Sequence, residues 1–273
     1  MRQRCGAGRT RMGDTEVRGA RLYTEVTGLG APLLVLHGGF CSLESLRPVA
    51  AALQADRRVY AYERPGHGRT ADTATEYDYA RDAGDALAFL DAHGIESAEV
   101  IGYSDGAIIG LLLARDHPER VRALVAISGN LDPSGFSGAP EAAGMPTLRD
   151  RTPEPTTEQQ GTADAAAEPS AEQLHYAALS PDGPAHAEVV LDKLFRLWTT
   201  SPPIPEDSLG VITARTLVMS GDRDSIRPDH SLRIAAAIPG AQLCIVPGAT
   251  HGLVTERAAL VSRLAREFLL AQD

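Results

Sequence analysis

The chain has only three cysteines in 273 residues, Cys5, Cys41 and Cys244, and they stand far apart. That spacing excludes a C-x-x-C zinc or redox pair and a disulfide framework, and it fits a reducing, cytoplasmic setting. Long apolar runs are also missing. The longest, residues 107–114, falls well short of the roughly 20 residues that cross a bilayer. Basic residues are in deficit, 26 Lys and Arg against 36 Asp and Glu, for a formal charge of -10. Such a balance disfavours nucleic acid and anionic membranes, so the expected partner is a small molecule. Composition carries no signal for the oligomeric state.

What is present supports a full-sized core: 43% of the chain is hydrophobic, enough for one large α/β domain or two ordinary ones. The opening stretch carries Arg2, Arg4, Arg9 and Arg11, and no apolar segment follows that could form a signal peptide. Residues 1–14 therefore read as a disordered leader. Residues 17–26 alternate around a Gly19-Ala20 turn and predict a hairpin. Short apolar runs then recur at 33–36, 58–62, 98–102, 121–127, 216–220 and 242–246. Amphipathic stretches at 44–55, 77–93, 105–117, 228–238 and 255–270 mostly separate them. This alternation predicts an α/β fold, a mostly parallel sheet with helices on both faces.

Between residues 131 and 205 the rhythm fails. The first half of that span is rich in Pro, Gly, Ala and Thr, and its part at 153–169 offers little to bury and is expected to be mobile. The second half contains helix-like segments at 171–179 and 185–198, whose Val189, Val190, Leu194, Leu197 and Trp198 are placed to cover a cavity. The predicted organisation is a core at 15–130 and 206–273 with a cap, or lid, inserted at 131–205.

The sharpest local signal is Gly102-Tyr103-Ser104-Asp105-Gly106, a G-x-S-x-G pentapeptide between an apolar strand and an apolar helical run. A serine hydroxyl attacks only if it is lifted into a site and deprotonated, and a tight strand-to-helix turn does the lifting. A base is then required. His251 follows the last predicted strand on a loop that reaches the C-terminal edge of the sheet, where ligands bind in open α/β folds. His37 and His67 lie on loops of the same side and compete weakly; His93, His117 and His230 fall on helices or their ends, and His175 and His186 in the insertion. A carboxylate must hold the imidazole, and after the strand at 216–220 both Asp222 and Asp224 qualify by position.

The order Ser104, Asp224, His251 resembles that of the α/β-hydrolase superfamily. His37-Gly38-Gly39 is similar to the family's H-G-x loop and Gly221 to Asp224 to its G-x-x-D loop, so the likeness runs from about residue 22 to residue 270. The resemblance implies Asp224 as the acid and the backbone amides of Gly39 and Asp105 as an oxyanion hole, with Phe40 as a fallback donor. Asp132 is a substitute acid, as in some members of the fold. Glu63 to Thr70 looks like the family's D-x-x-G-x-G-x-S loop, with Glu63 and Thr70 as departures, and is assigned structural work. The G-x-S-D-G form resembles the biphenyl-hydrolase-like branch, in which the acid after the nucleophile faces the pocket and can bind an amine. The plainer role for Asp105 is a helix N-terminal acid that complements the macrodipole. Phe40, Asp105 and Trp198 are the expected substrate-binding side chains, and Cys41 reads as a small buried thiol.

The expected function is a serine hydrolase that cleaves a small carboxylic ester or related acyl compound through an acyl-enzyme on Ser104. No metal or organic cofactor is implied. Two alternatives keep the fold: a cofactor-independent lyase, cyclase or carbon–carbon hydrolase, and a non-catalytic ligand-binding protein with a vestigial triad.

Overall fold

The computed structural model describes residues 10–137 and 170–271. Runs of β-branched and apolar residues become eight strands: β1 (Arg11–Val17), β2 (Ala20–Thr27), β3 (Ala31–Leu36), β4 (Arg57–Tyr62), β5 (Ala98–Tyr103), β6 (Val121–Ile127), β7 (Arg215–Gly221) and β8 (Gln242–Val246). They form one sheet in the order β1-β2-β4-β3-β5-β6-β7-β8. β2 runs antiparallel to both its neighbours, and every other pair is parallel. β5 is buried at all six positions, as a central strand covered on both faces must be.

The helices are α1 (Arg47–Leu53), α2 (Tyr79–Ala92), α3 (Asp105–Asp116), α4 (Ala171–Leu179), α5 (Ala187–Thr200), α6 (Pro228–Ala237), α7 (Leu253–Glu256) and α8 (Ala258–Leu270). Phe89 of α2, Ile109 of α3 and Ile234 of α6 pack into one apolar cluster on one face of the sheet. Val49 and Leu53 of α1 and Val261 and Phe268 of α8 pack into a second cluster. The chain leaves β3 for one side and β5 for the other, so the crevice between their C-terminal ends is the topological switch point where open α/β sheets bind ligands. Among the described residues no helix is long and apolar enough to cross a membrane.

Several expectations need correction. The leader is shorter than expected: Arg11 to Asp14 already belong to β1, whose first residues are exposed and so carry no apolar pattern to announce the strand. The hairpin turn falls at Arg18-Gly19, both at positive φ (47° and 86°), the geometry that matches the twist of tightly connected strands. The final helix is broken at Arg257 into α7 and α8. Residues 153–169, expected to be mobile, lie outside the described residues.

Both helix-like segments expected between β6 and β7 are helices. α4 opens on a capping box, with the Ser170 side chain accepting from the Gln173 amide and the Gln173 side chain returning to the Ser170 amide. α5 buries Val190, Leu194 and Leu197 in the same cluster as α2 and α3. Val189 instead faces solvent, while Lys193, one turn before Leu197, is buried. Its ammonium donates to Asp72 Oδ2 at 2.8 Å and to the Thr73 carbonyl at 2.5 Å, and His186 Nε2 meets the same Asp72 oxygen at 2.9 Å. That buried ion pair ties α5 to the loop after β4.

Candidate active site

Five strand ends build the site. β5 ends at Tyr103, and the chain turns at once into α3 through Ser104, whose φ of 55° and ψ of -120° lie where few side-chain-bearing residues go. Such a conformation costs about 1–3 kcal/mol and persists only where the surroundings enforce it. Here they do. A Cβ on Gly102 would lie 2.0 Å from the Gly106 carbonyl oxygen, and one on Gly106 would lie 2.1 Å from that of Leu36. Only glycine permits that approach, which explains both glycines of the pentapeptide.

The loop after β8 carries His251 and the loop after β7 carries Asp224. His251 Nε2 stands 3.0 Å from Ser104 Oγ, and its Nδ1 stands 2.6 Å from Asp224 Oδ1. With Nδ1–H donating to the carboxylate, Nε2 is free to accept the serine proton. Tyr103 donates its phenolic hydrogen to the His251 carbonyl at 2.8 Å and lays its ring against the imidazole. Of the two candidate acids only Asp224 reaches the histidine. Asp222 instead accepts the Gly248 amide at 2.6 Å and shapes the loop.

Asp224 is buried, which works against its charge, but hydrogen bonds and attraction from His251, the Ser128 hydroxyl and the Ile226 amide outweigh burial and hold it below its ordinary value. Ser128, at the end of β6, donates to Asp224 Oδ2 at 2.5 Å. Sequence reasoning did not find it. A lone serine after an apolar strand gives no signal, although its positive φ of 56° marks it in the structure. Asp132 is not joined to His251: its carboxylate accepts the Ser134 amide in a short turn.

The loop after β3 passes beside Ser104, since a Cβ on Gly38 would lie 3.0 Å from Ser104 Cβ. His37 anchors this loop from below. It is fully buried, and both ring nitrogens are occupied, Nδ1 with the Gly38 carbonyl at 2.7 Å and Nε2 accepting the Arg64 amide at 3.0 Å. Burial and the nearby Arg64 and His67 push it well below its ordinary value, so it stays neutral and does not compete as a base. Burial pushes the Cys41 thiol up to about 12, so it stays protonated beside the loop.

Asp105 differs most from its sequence reading. It is 2% exposed, and its carboxylate accepts from Arg64 (2.9 Å), the Tyr79 hydroxyl (2.8 Å) and the Trp198 indole (2.9 Å). Committed to three internal donors, it does not present a charge for a substrate amine. Arg64 spans Asp105 and Asp82, to which it donates at 2.7 Å. Asp105 opens α3, so its own amide has no intrahelical acceptor and remains available. Trp198 reaches over Gly39, where an added Cβ would lie 2.5 Å from the ring. Phe40 is half-buried, at a φ of 50°, and stacks on Tyr176 with ring centroids 5.3 Å apart. Glu63 does structural work at the end of β4: it is fully buried and accepts the amides of Leu43 (3.2 Å) and Arg69 (2.5 Å).

A serine, an imidazole and a buried carboxylate in contact on the C-terminal edge of a mostly parallel sheet define a class of fold and site shared by many hydrolases. The sequence profile of the alpha/beta hydrolase fold matches residues 31–258, and the chain belongs to that family and is a hydrolase. It is 30% identical over 268 residues to a 2-hydroxymuconate semialdehyde hydrolase of Pseudomonas sp. CF600, covering 93% of this chain and 92% of the relative. It is 38% identical over 117 residues to a protein named as a carbamate hydrolase, RutD, of Azorhizobium caulinodans; that match spans less than half of either chain, 43% and 44%. Among solved structures, a meta-cleavage product hydrolase of Pseudomonas fluorescens superposes with a TM-score of 0.72 at 20% identity, covering 94% of this chain and 96% of the other.

Proposed function

We propose that the chain is a serine hydrolase that cleaves a small carboxylic ester or related acyl compound through an acyl-enzyme on Ser104. The observation that carries this reading is the unbroken chain of contacts from Ser104 Oγ through His251 to Asp224. His251 Nε2 takes the hydroxyl proton as Ser104 Oγ bonds to the carbonyl carbon, and the carbonyl oxygen becomes an oxyanion held by the amides of Gly39 and Asp105. When the carbonyl reforms, the bond to the alcohol breaks and His251 returns the proton to the leaving oxygen. Water then attacks the ester on Ser104, again giving its proton to His251, and the acid departs as Ser104 recovers its hydrogen. Asp224 keeps its charge throughout and stabilises the imidazolium between the two transfers. In this reading α4 and α5 belong to a cap over the pocket, and Phe40 and Trp198 form part of its wall.

The test is a panel of p-nitrophenyl esters. The native protein should turn over the short-chain members, and Ser104→Ala should lower kcat by about 10⁴-fold or more. A Ser104→Ala protein with native turnover ends the proposal.

A second reading, hydrolysis of a carbon–carbon bond in a semialdehyde-type substrate, is favoured by the full-length similarity to the Pseudomonas sp. CF600 protein. It requires rapid turnover of 2-hydroxymuconate semialdehyde together with weak activity on every aryl ester. A vestigial triad is argued against by the complete set of three side chains in contact.

A further inference from the structure

The two amides assigned to the oxyanion hole belong to very different pieces of chain. That of Asp105 is set by the elbow, whose glycines and strained serine leave it one position. That of Gly39 lies in Gly38-Gly39-Phe40, a stretch with two glycines and a phenylalanine at a φ of 50°. A hole accelerates reaction only if its donors are already in place when charge develops, so something outside this loop must hold it.

Three side chains of α4 and α5 do so. Ser42, at the far end of the loop and 1% exposed, meets His175 Nε2 at 2.8 Å. Phe40 lies flat against Tyr176, the next residue on α4, with the ring planes 11° apart. Gly39 lies under the Trp198 ring, whose indole donates to the Asp105 carboxylate at 2.9 Å. Trp198 thus touches both residues that supply the amides, one through its ring and one through its N–H. Loop positions 39, 40 and 42 each have a partner on α4 or α5, while His37 secures the other end from the core.

We infer that His175, Tyr176 and Trp198 are positioning residues for the oxyanion hole: α4 and α5 hold the Gly39 and Asp105 amides at working distance, so the insertion governs turnover as well as access. The inference deepens the oxyanion-hole reading above and rests on it. Its mark is a loss confined to the tetrahedral state. A substrate wall would raise KM when trimmed, whereas a misplaced hole lowers kcat and weakens tetrahedral anions while leaving planar ground states alone.

The experiment follows p-nitrophenyl butyrate hydrolysis and inhibition by phenylboronic acid, which forms a tetrahedral anion on a nucleophilic serine, in the full chain. His175→Ala and Tyr176→Leu should each lower kcat about tenfold with KM within about twofold, Trp198→Phe, which also trims the proposed pocket wall, should lower kcat as far whatever its KM, and the boronate Ki should rise in parallel with the fall in kcat. Tyr176→Phe, which keeps the stacked ring, should regain most of the rate lost in Tyr176→Leu. His175→Ala combined with Ser42→Ala should lose less than the product of the single losses, because the two changes break one contact. Thermal unfolding identifies variants that still fold. Folded variants with native kcat and native boronate affinity, or with a raised KM alone, overturn the inference. A native protein whose Ser104 is not labelled by a fluorophosphonate overturns the nucleophile reading and takes this inference with it, whereas labelled Ser104 with unaffected variants overturns the inference alone.

Discussion

The two sides of the crevice are built by different means. On the sheet side, each side chain of the proposed triad sits within a few residues of a strand end: Ser104 after β5, Asp224 after β7, His251 after β8. The strands are locked by a continuous ladder and two apolar clusters, so the reactive groups inherit the rigidity of the sheet. On the opposite side, α4 and α5 contribute through long side chains that reach across to the loops after β3 and β4 and to the start of α3. Lys193, His175 and Trp198 sit more than 90 residues from their partners in sequence. The reactive groups are thus placed by backbone topology, and the surroundings that tune them are placed by individual side-chain contacts.

Substitutions can break this contrast from either side. The largest effect is expected on the sheet side, where Asp224→Asn keeps the shape but favours the wrong histidine tautomer; kcat should fall by about 10⁴-fold with folding intact, read by ester kinetics. Gly39→Ala comes next. Its methyl would lie 2.5 Å from the Trp198 ring and 2.6 Å from Asp105 Oδ2, and relieving that clash must move the loop or the indole. A fall in kcat of about 10²-fold is expected, comparable to the removal of one oxyanion donor, and combining it with Trp198→Ala, which vacates the space, should give less than the two separate losses multiplied.

Lys193→Met should separate docking of the insertion from chemistry. It leaves the buried Asp72 carboxylate with His186 and Tyr77 but without its ammonium, and about 3 kcal/mol of stability should disappear in denaturant titrations. Equal stability would mean that the ion pair merely breaks even. The smallest effect concerns pH. Asp82, facing Arg64, is pushed up to about 6 by burial, against an unfolded value near 3.9. The folded state therefore favours its protonated form, and the stability this group contributes is present below about pH 4 and lost as pH rises through 6. Unfolding free energies across that range should decline by no more than about 1.4 kcal/mol per pH unit from this group, and Asp82→Asn should flatten the decline.

The same contrast decides what could be read from the sequence. The parallel strands were legible because a strand covered on both faces must be apolar throughout, and the elbow because its glycines answer to backbone contacts a few residues away. β1 was not legible before Val17, since an edge strand facing water has no apolar face to betray it. The side-chain partners of Asp105 were hidden for a related reason. Its neighbours in sequence explain its place at a helix start, but its three donors come from the loop after β4, from α2 and from α5. Ser128 was invisible because one serine after an apolar run resembles any other, and only the convergence of β6 and β7 brings it to Asp224. Lys193 ran against the pattern, a charge on the buried stripe of α5 whose partner no periodicity points to.

The central claim is that the Ser104 hydroxyl becomes covalently acylated. Rapid acid quenching of the protein with p-nitrophenyl acetate, followed by peptide mass mapping, tests it without reference to the natural substrate. An acetyl group on Ser104, formed as fast as the first nitrophenolate is released and absent from His251→Ala, is the predicted result. Full turnover with an unmodified Ser104 at every quench time, or with the acetyl group on another residue, contradicts it.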